Sequence, residues 1–278
     1  MTDPMTPVWE AAPRDTAQVR LPDGRIFAGP VGTPLSAFIG AAYPEATPPI
    51  VAALVDGDLS ELCYPICRDV EVQPIDTSMN DGMRVYQRSL TFLLVVAVRE
   101  LFPEAKLIID HSVTLGGYFC QLAGRPAFTQ GELEAIEARM REIIAADEPI
   151  TKERMAVSEA RAMFADQGYD DKVRLLAYRE QAEISIYSLR GVRDYFYGYM
   201  MPATGNLRWF SLQLYPPGLI LRMPQRYAPT TLPPDRDYPK LTAVFQEYGR
   251  WLHILGVEDV GSLNEAVDAG RMRELVLI

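Results

Sequence analysis

"VRLPDGRIF" (Val19–Phe27) reads as two short strands reversed at Pro22-Asp23-Gly24. Proline presets one turn dihedral, and glycine accepts the positive φ that a tight reversal needs. Further on, "PLSAFIGAAY" (Pro34–Tyr43) has the spacing of a short helix, with Ser36 near its start. "IVAALVDGDLSEL" (Ile50–Leu62) is strand, turn and strand, reversed at Asp56-Gly57, and "DVEVQPID" (Asp69–Asp76) adds a strand carrying Val70, Val72 and Ile75. The order strand, strand, helix, strand, strand over residues 17–77 predicts a small β-grasp domain. The Pro-rich residues 1–16 ahead of it read as a loose N-terminus.

A second unit is expected over residues 78–225. "YQRSLTFLLVVAVRELFP" (Tyr86–Pro103) reads as a long, mostly apolar helix stopped by Pro103. "KLIIDHSV" (Lys106–Val113), "GGYFCQL" (Gly116–Leu122), "EISIYSL" (Glu183–Leu189), "WFSLQLY" (Trp209–Tyr215) and "GLILRMP" (Gly218–Pro224) read as strands. Between them, Thr129 and Glu132 form a capping-box pattern at the head of an amphipathic helix to Asp147. "SEARAMFADQG" (Ser158–Gly168) and "DDKVRLLAYR" (Asp170–Arg179) read as short helices. Helices interspersed with antiparallel strands make the class α+β. Residues 226–278 turn helical again, in "YPKLTAVFQEYGRWLHIL" (Tyr238–Leu255) and "GSLNEAVDAGRMREL" (Gly261–Leu275).

Composition narrows the partners. The chain has 278 residues, 48% hydrophobic and 23% charged, with a net charge of −10. Residues 17–77 carry 3 basic and 8 acidic side chains, which argues against that segment as a nucleic-acid surface. Residues 78–225 carry 17 and 18, enough cations for a local basic patch. The apolar run Leu90–Val98 is far short of the roughly 20 residues a membrane span needs, so no membrane partner is expected. The N-terminus has no basic region followed by an apolar one. Cys63, Cys67 and Cys120 are too few for a disulfide framework, and Cys63 and Cys67 lack a second ligand pair for zinc. A cytoplasmic location is the expectation.

Residues 17–77 resemble a TGS domain, the β-grasp module at the front of threonyl-tRNA synthetases. "RSLTFLLVVAVRELFPEAKLIIDHSVTLGGYF", "SEARAMFADQGYDDKVRLL" and "DYFYGYMMP" (Asp194–Pro202) resemble the second additional, editing-type domain of threonyl- and alanyl-tRNA synthetases. That resemblance implies a two-layer α/β domain with a His-x-x-x-His motif on its helix and a Cys-x-x-x-His motif in a later loop, suited to zinc or to a hydrolytic water. In the same frame, the helix positions here are Arg88 and Phe92, and the loop positions are Phe196 and Met200. Phenylalanine moves no proton, and methionine is a poor zinc ligand. No catalytic residue and no metal are therefore expected in this degenerate site.

"RVYQRSLTFL", "DYFYGYMMPATG", "FSLQLYPPGLILRMP" and "KLTAVFQEYGRWLHILGVEDVGSLNEAV" also resemble the N-terminal half of long bacterial uridine kinase-like proteins. This resemblance implies a helical linker over residues 226–278 toward a kinase domain in cis. ATP and magnesium are expected only on that missing domain, because the chain has no G-x-x-x-x-G-K-[ST]. On this reading the chain is a non-catalytic, ligand-sensing or regulatory region without a cofactor of its own. The alternative is a tRNA-binding module, or a residual deacylase; tRNA ranks behind a nucleoside or nucleotide as the partner.

The candidate ligand-binding residues are Arg88, His111, Lys172, Tyr195, Tyr197 and Tyr199. Tyrosine faces stack a base, and an arginine fork binds an anion. Against this stands a filled core, in which Phe92, Phe196 and Met200 replace the missing ligands. His111 is either an acid–base group beside Asp110 or a structural histidine. Lys172 matches a lysine position of the synthetase pattern, and either faces the cleft or pairs with Asp170 or Asp171.

Overall fold

In this computed structural model, residues 12–113, 116–234 and 239–276 are described. The chain runs β1 (Thr16–Arg20), β2 (Ile26–Pro30), β3 (Thr33–Pro34), α1 (Leu35–Ala42), β4 (Ile50–Val55), β5 (Asp58–Glu61), β6 (Pro65–Ile66) and β7 (Val70–Asp76). It continues through α2 (Asn80–Leu101), β8 (Lys106–Ser112), β9 (Gly117–Ala123), α3 (Gln130–Ala145), β10 (Thr151–Ala156), α4 (Val157–Asp166) and α5 (Asp170–Ala177). Next come β11 (Glu183–Leu189), β12 (Val192–Tyr195), β13 (Ser211–Tyr215), β14 (Gly218–Arg222), α6 (Pro239–Leu255), α7 (Val260–Asp268) and α8 (Met272–Val276).

These elements form two units. The first ends at Pro149 and resumes over Gly198–Leu232; the second takes Ile150–Tyr197 and resumes from Pro233. This grouping does not follow the expected boundaries at residues 77 and 225. The first turn of α2 runs hard against the end of β7, where a Cβ on Gly82 would stand 1.9 Å from the Asp76 carbonyl oxygen. The β-grasp sheet and the long helix therefore share one unit. At the other end, α7 docks on α5. The Arg174 guanidinium meets the Asp259 carboxylate at 2.7 Å, and a Cβ on Gly261 would lie 2.7 Å from Arg174 Cβ. The segment expected as a helical linker is helical, and its α7 packs on α5 within the second unit.

In the first unit, the expected β-grasp sheet has the order β2-β1-β7-β4-β5. The central pair β1/β7 is parallel, with Val19 opposite Val70, and the other neighbours are antiparallel. Both turns read from sequence use left-handed backbone: Gly24 at φ 86°, and Asp56-Gly57 at 51° and 92°. Ala17, Val19, Val55 and Val72 of the sheet pack against Leu35 and Phe38 of α1. A second, antiparallel sheet has the order β13-β14-β9-β8. Helix α3 begins with the predicted capping box: Glu132 N–H donates to Thr129 Oγ1, and Thr129 N–H donates to the Glu132 carboxylate. These bonds and Arg125 hold the Glu132 carboxyl down at about 2.

The second unit has the antiparallel sheet β10-β11-β12 with α4 and α5. Its core is Met155, Ala160, Phe164, Leu176, Ile184 and Ile186. Among the described residues, no helix is long and apolar enough to cross a membrane.

Two outcomes are expected. Gly82→Ala forces α2 away from β7 and lowers stability by about 1–3 kcal/mol, the usual range for overpacking, measured by urea denaturation. Burial pushes the Cys120 thiol up to about 12, whereas Cys63 and Cys67 are exposed. A colorimetric thiol titration at pH 8 should therefore show Cys63 and Cys67 reacting promptly, and Cys120 only after unfolding.

Candidate functional site

Within the first unit, the site is built on α2. Leu90, Phe92, Leu93, Leu94 and Ala97 are fully buried, which fixes the helix in rotation and sets Arg88 at a half-buried position. Arg88 Nη1 donates to the Tyr199 carbonyl oxygen at 2.8 Å. Its guanidinium lies flat against Gly198, where an added Cβ would come within 2.7 Å of Arg88 Cζ. Gly198 also has φ 114°, so any side chain there is excluded twice, by backbone and by space. The next helix residue adds a second tie: Ser89 Oγ accepts from Met201 N–H at 2.9 Å and donates to the Val85 carbonyl oxygen at 2.8 Å. Arg88 and Ser89 thus hold successive peptide groups of the loop. Between them Met200 is 2% exposed, with Phe92 sealed inside α2's packing.

Tyr86, one turn earlier, is also buried. Its hydroxyl donates to the Trp209 carbonyl oxygen at 3.0 Å and accepts from Trp209 N–H at 2.9 Å. Burial raises its hydroxyl far above the usual tyrosine range. Burial also raises the Tyr118 hydroxyl, and the positive charge of Arg88 partly offsets this, so the two are within electrostatic reach. His111 lies on β8 with Nδ1 3.3 Å from Asp110 and its ring centroid 5.3 Å from that of Phe119.

Within the second unit, Lys172 on α5 forms an ion pair with Asp194 on β12. The sequence leaves Lys172 open between facing the cleft and pairing with Asp170 or Asp171; its ion-pair partner is Asp194. Asp194 is only 6% exposed and also accepts from Tyr195 N–H at 2.6 Å. Lys172 Nζ lies 4.3 Å from the Tyr169 ring centroid and 5.1 Å from that of Phe164, so the ammonium is enclosed by a carboxylate and two aromatic faces. Beyond this pair, Arg179 Nη2 donates to the Tyr195 hydroxyl at 2.5 Å. Arg179 Cζ is 5.7 Å from the Tyr195 ring and 5.3 Å from the Tyr197 ring. Tyr197 is 77% exposed, and Phe196 is half-buried.

The first unit brings together Arg88, Phe92, Tyr199 and Met200, and places His111 on the second sheet; the second unit holds Lys172, Tyr195, Phe196 and Tyr197. Arg88 was expected as an anion fork, yet it donates to a backbone carbonyl. Three contributors were not anticipated: Ser89, Tyr169 and Arg179. A serine inside an apolar helical run is a readable signal for Ser89, since such a residue needs a partner. Arg179 carries no pattern of its own.

A guanidinium, two phenyl rings and a thioether do not fit a zinc site, which needs imidazole, thiolate or carboxylate donors. Among the described residues, no three His, Cys, Asp or Glu side chains converge.

No family model matches the chain. It is similar to the threonine–tRNA ligase of Symbiobacterium thermophilum, 33% identical over 195 residues, covering 70% of this chain and 30% of the ligase. The threonine–tRNA ligases of Acidithiobacillus ferrooxidans and Acidovorax sp. strain JS42 are 36% and 34% identical over 199 and 198 residues, with the same coverage. The chain is therefore homologous to the N-terminal region of these ligases, and spans about 30% of their length. None of these named relatives is a nucleoside kinase, and the expected kinase parent gains no support from them.

Ser89→Ala leaves the buried Met201 N–H without its acceptor. It should cost about 1–3 kcal/mol. Hydrogen exchange should show faster exchange at Met201, with β4 and β7 unchanged.

Proposed function

We propose that this chain binds the acceptor end of tRNA without hydrolysing an aminoacyl ester. The similarity to threonine–tRNA ligases supports the partner class. The loss of hydrolysis rests on one observation: the loop that would carry the reactive groups is tied to α2 through Tyr199 and Met201, with Met200 turned into the core. Without a proton-transfer group or a metal ligand at these positions, no water is activated there.

An arrangement in the second unit supports the binding half of this reading. Arg179 lies between Tyr195 and the exposed Tyr197, an arrangement that presents a flat aromatic face backed by a cation. Such a face takes an unpaired base irrespective of its identity, and nearby cations meet the phosphates. Lys172 is neutralised by Asp194, so it is not counted among the phosphate-binding groups.

Filter binding with threonine-specific tRNA, free and charged with serine, tests this. Binding is expected at 50 mM salt, and three phosphate contacts would weaken it by roughly twentyfold at 200 mM. Tyr197→Ala should weaken binding by roughly tenfold, the worth of a stacked base. The seryl ester should survive at the uncatalysed rate. Absence of binding at low salt, or ester hydrolysis that Arg88→Ala alters, overturns the reading.

A further inference from the structure

Helix α6 carries an apolar face that no other described residue covers. Val244 is 59% exposed, Tyr248 61%, Trp251 48% and Ile254 72%. Their spacing of four, three and three residues places them within about 120° of helix circumference, at 100° per residue. Single exposed apolar residues are ordinary, but a four-residue stripe on one helix marks an interaction surface. The helix also has Gly249 in mid-course, with no atom within 4 Å of its missing Cβ. A glycine there costs about 1 kcal/mol relative to alanine, and an exposed helix gains most of its stability from what packs on it.

The charges beside the stripe indicate what covers it. At 100° per residue Glu247 falls within the stripe, between Trp251 and Ile254, and Arg250 lies just outside it beyond Ile254, so both stand on the same flank of the face. Among the described residues neither has an ion-pair partner. When two copies of a helix pack antiparallel about a two-fold axis, the same flank of each meets the other. An axis crossing between residues 248 and 249 then sets Glu247 of each copy beside Arg250 of the other, twice. The midpoint of the apolar stripe, near residue 249, falls at the same place, so the centring that pairs the charges also overlays the stripes. Parallel packing brings this flank against the opposite one and pairs neither charge. An anionic lipid surface is a poor alternative for a chain of net charge −10 whose stripe is interrupted by Glu247.

We propose that this face is the contact of a homodimer, in which α6 of two copies packs antiparallel through Val244, Tyr248, Trp251 and Ile254, with reciprocal Glu247–Arg250 pairs. The proposal is independent of tRNA binding.

Sedimentation equilibrium of the full chain from about 1 to 200 µM tests it. Reversible dimerisation is expected, with Trp251→Glu weakening it by at least tenfold; Trp251 is half-exposed, and circular dichroism of the variant checks that the fold persists. Glu247→Arg and Arg250→Glu should each weaken the dimer at least threefold, and the double swap should return it to within about twofold of the starting affinity. A chain monomeric at 200 µM overturns the proposal, as does a dimer that Trp251→Glu leaves intact. Failure of the double swap to restore affinity overturns the antiparallel pairing. Binding of α6 to lipid vesicles in place of self-association also rules it out.

Discussion

The tie between α2 and the loop after Gly198 decides the chemistry of the first unit. Two neighbouring side chains reach two successive peptide groups: Arg88 takes the Tyr199 carbonyl, and Ser89 takes the Met201 N–H. The geometry depends on Gly198, since the guanidinium occupies the space of its missing side chain. The Tyr199 carbonyl and the Met201 N–H are thereby satisfied, and Met200 is turned inward. From the same helix, the Tyr86 hydroxyl holds the two peptide groups that flank Trp209, donating to its carbonyl oxygen and accepting from its N–H.

The second unit has a different balance. Its small core is supplemented by ion pairs and cation–aromatic contacts, with Lys172 enclosed between Asp194 and two rings. A buried pair of this kind is costly to break from one side, because the remaining charge is left without a partner. It therefore fixes the start of the Asp194–Pro202 loop, while Arg88 and Ser89 fix its end. Each end is held within its own unit, by charge in one and by backbone hydrogen bonds in the other.

The β-grasp half was legible almost throughout, because its strands alternate, its turns carry glycine at the reversals, and its helix has an apolar face. The capping box of α3 was equally plain. Strand β10 was not read: only Met155 of Thr151–Ala156 is buried, so the hydrophobic alternation that announces a strand is absent. Strand β12 lay inside the motif at Asp194 and was read as loop. At the site, sequence singles out Arg88, Phe92, Phe196 and Met200 through the resemblance and leaves a ligand cleft and a filled core both open; Phe92 and Met200 are buried, and Phe196 is half-buried. What sequence could not supply was the partner of each charge. Arg88 turns to a carbonyl 111 residues away and Lys172 to a carboxylate 22 residues away, contacts set by tertiary packing alone.

A histidine at position 88 would make closure of this loop answer to acidity, since imidazole gains and loses its charge near neutral pH. A guanidinium keeps its charge under all conditions in which a protein stays folded. The carbonyl it holds does not titrate either. The loop is thus insulated from the proton concentration around it. The whole chain has two histidines, at positions 111 and 253, and neither lies in this loop. Position 88 thus holds a fixed structural charge, and the contact it makes with the Tyr199 carbonyl keeps its form across the physiological pH range.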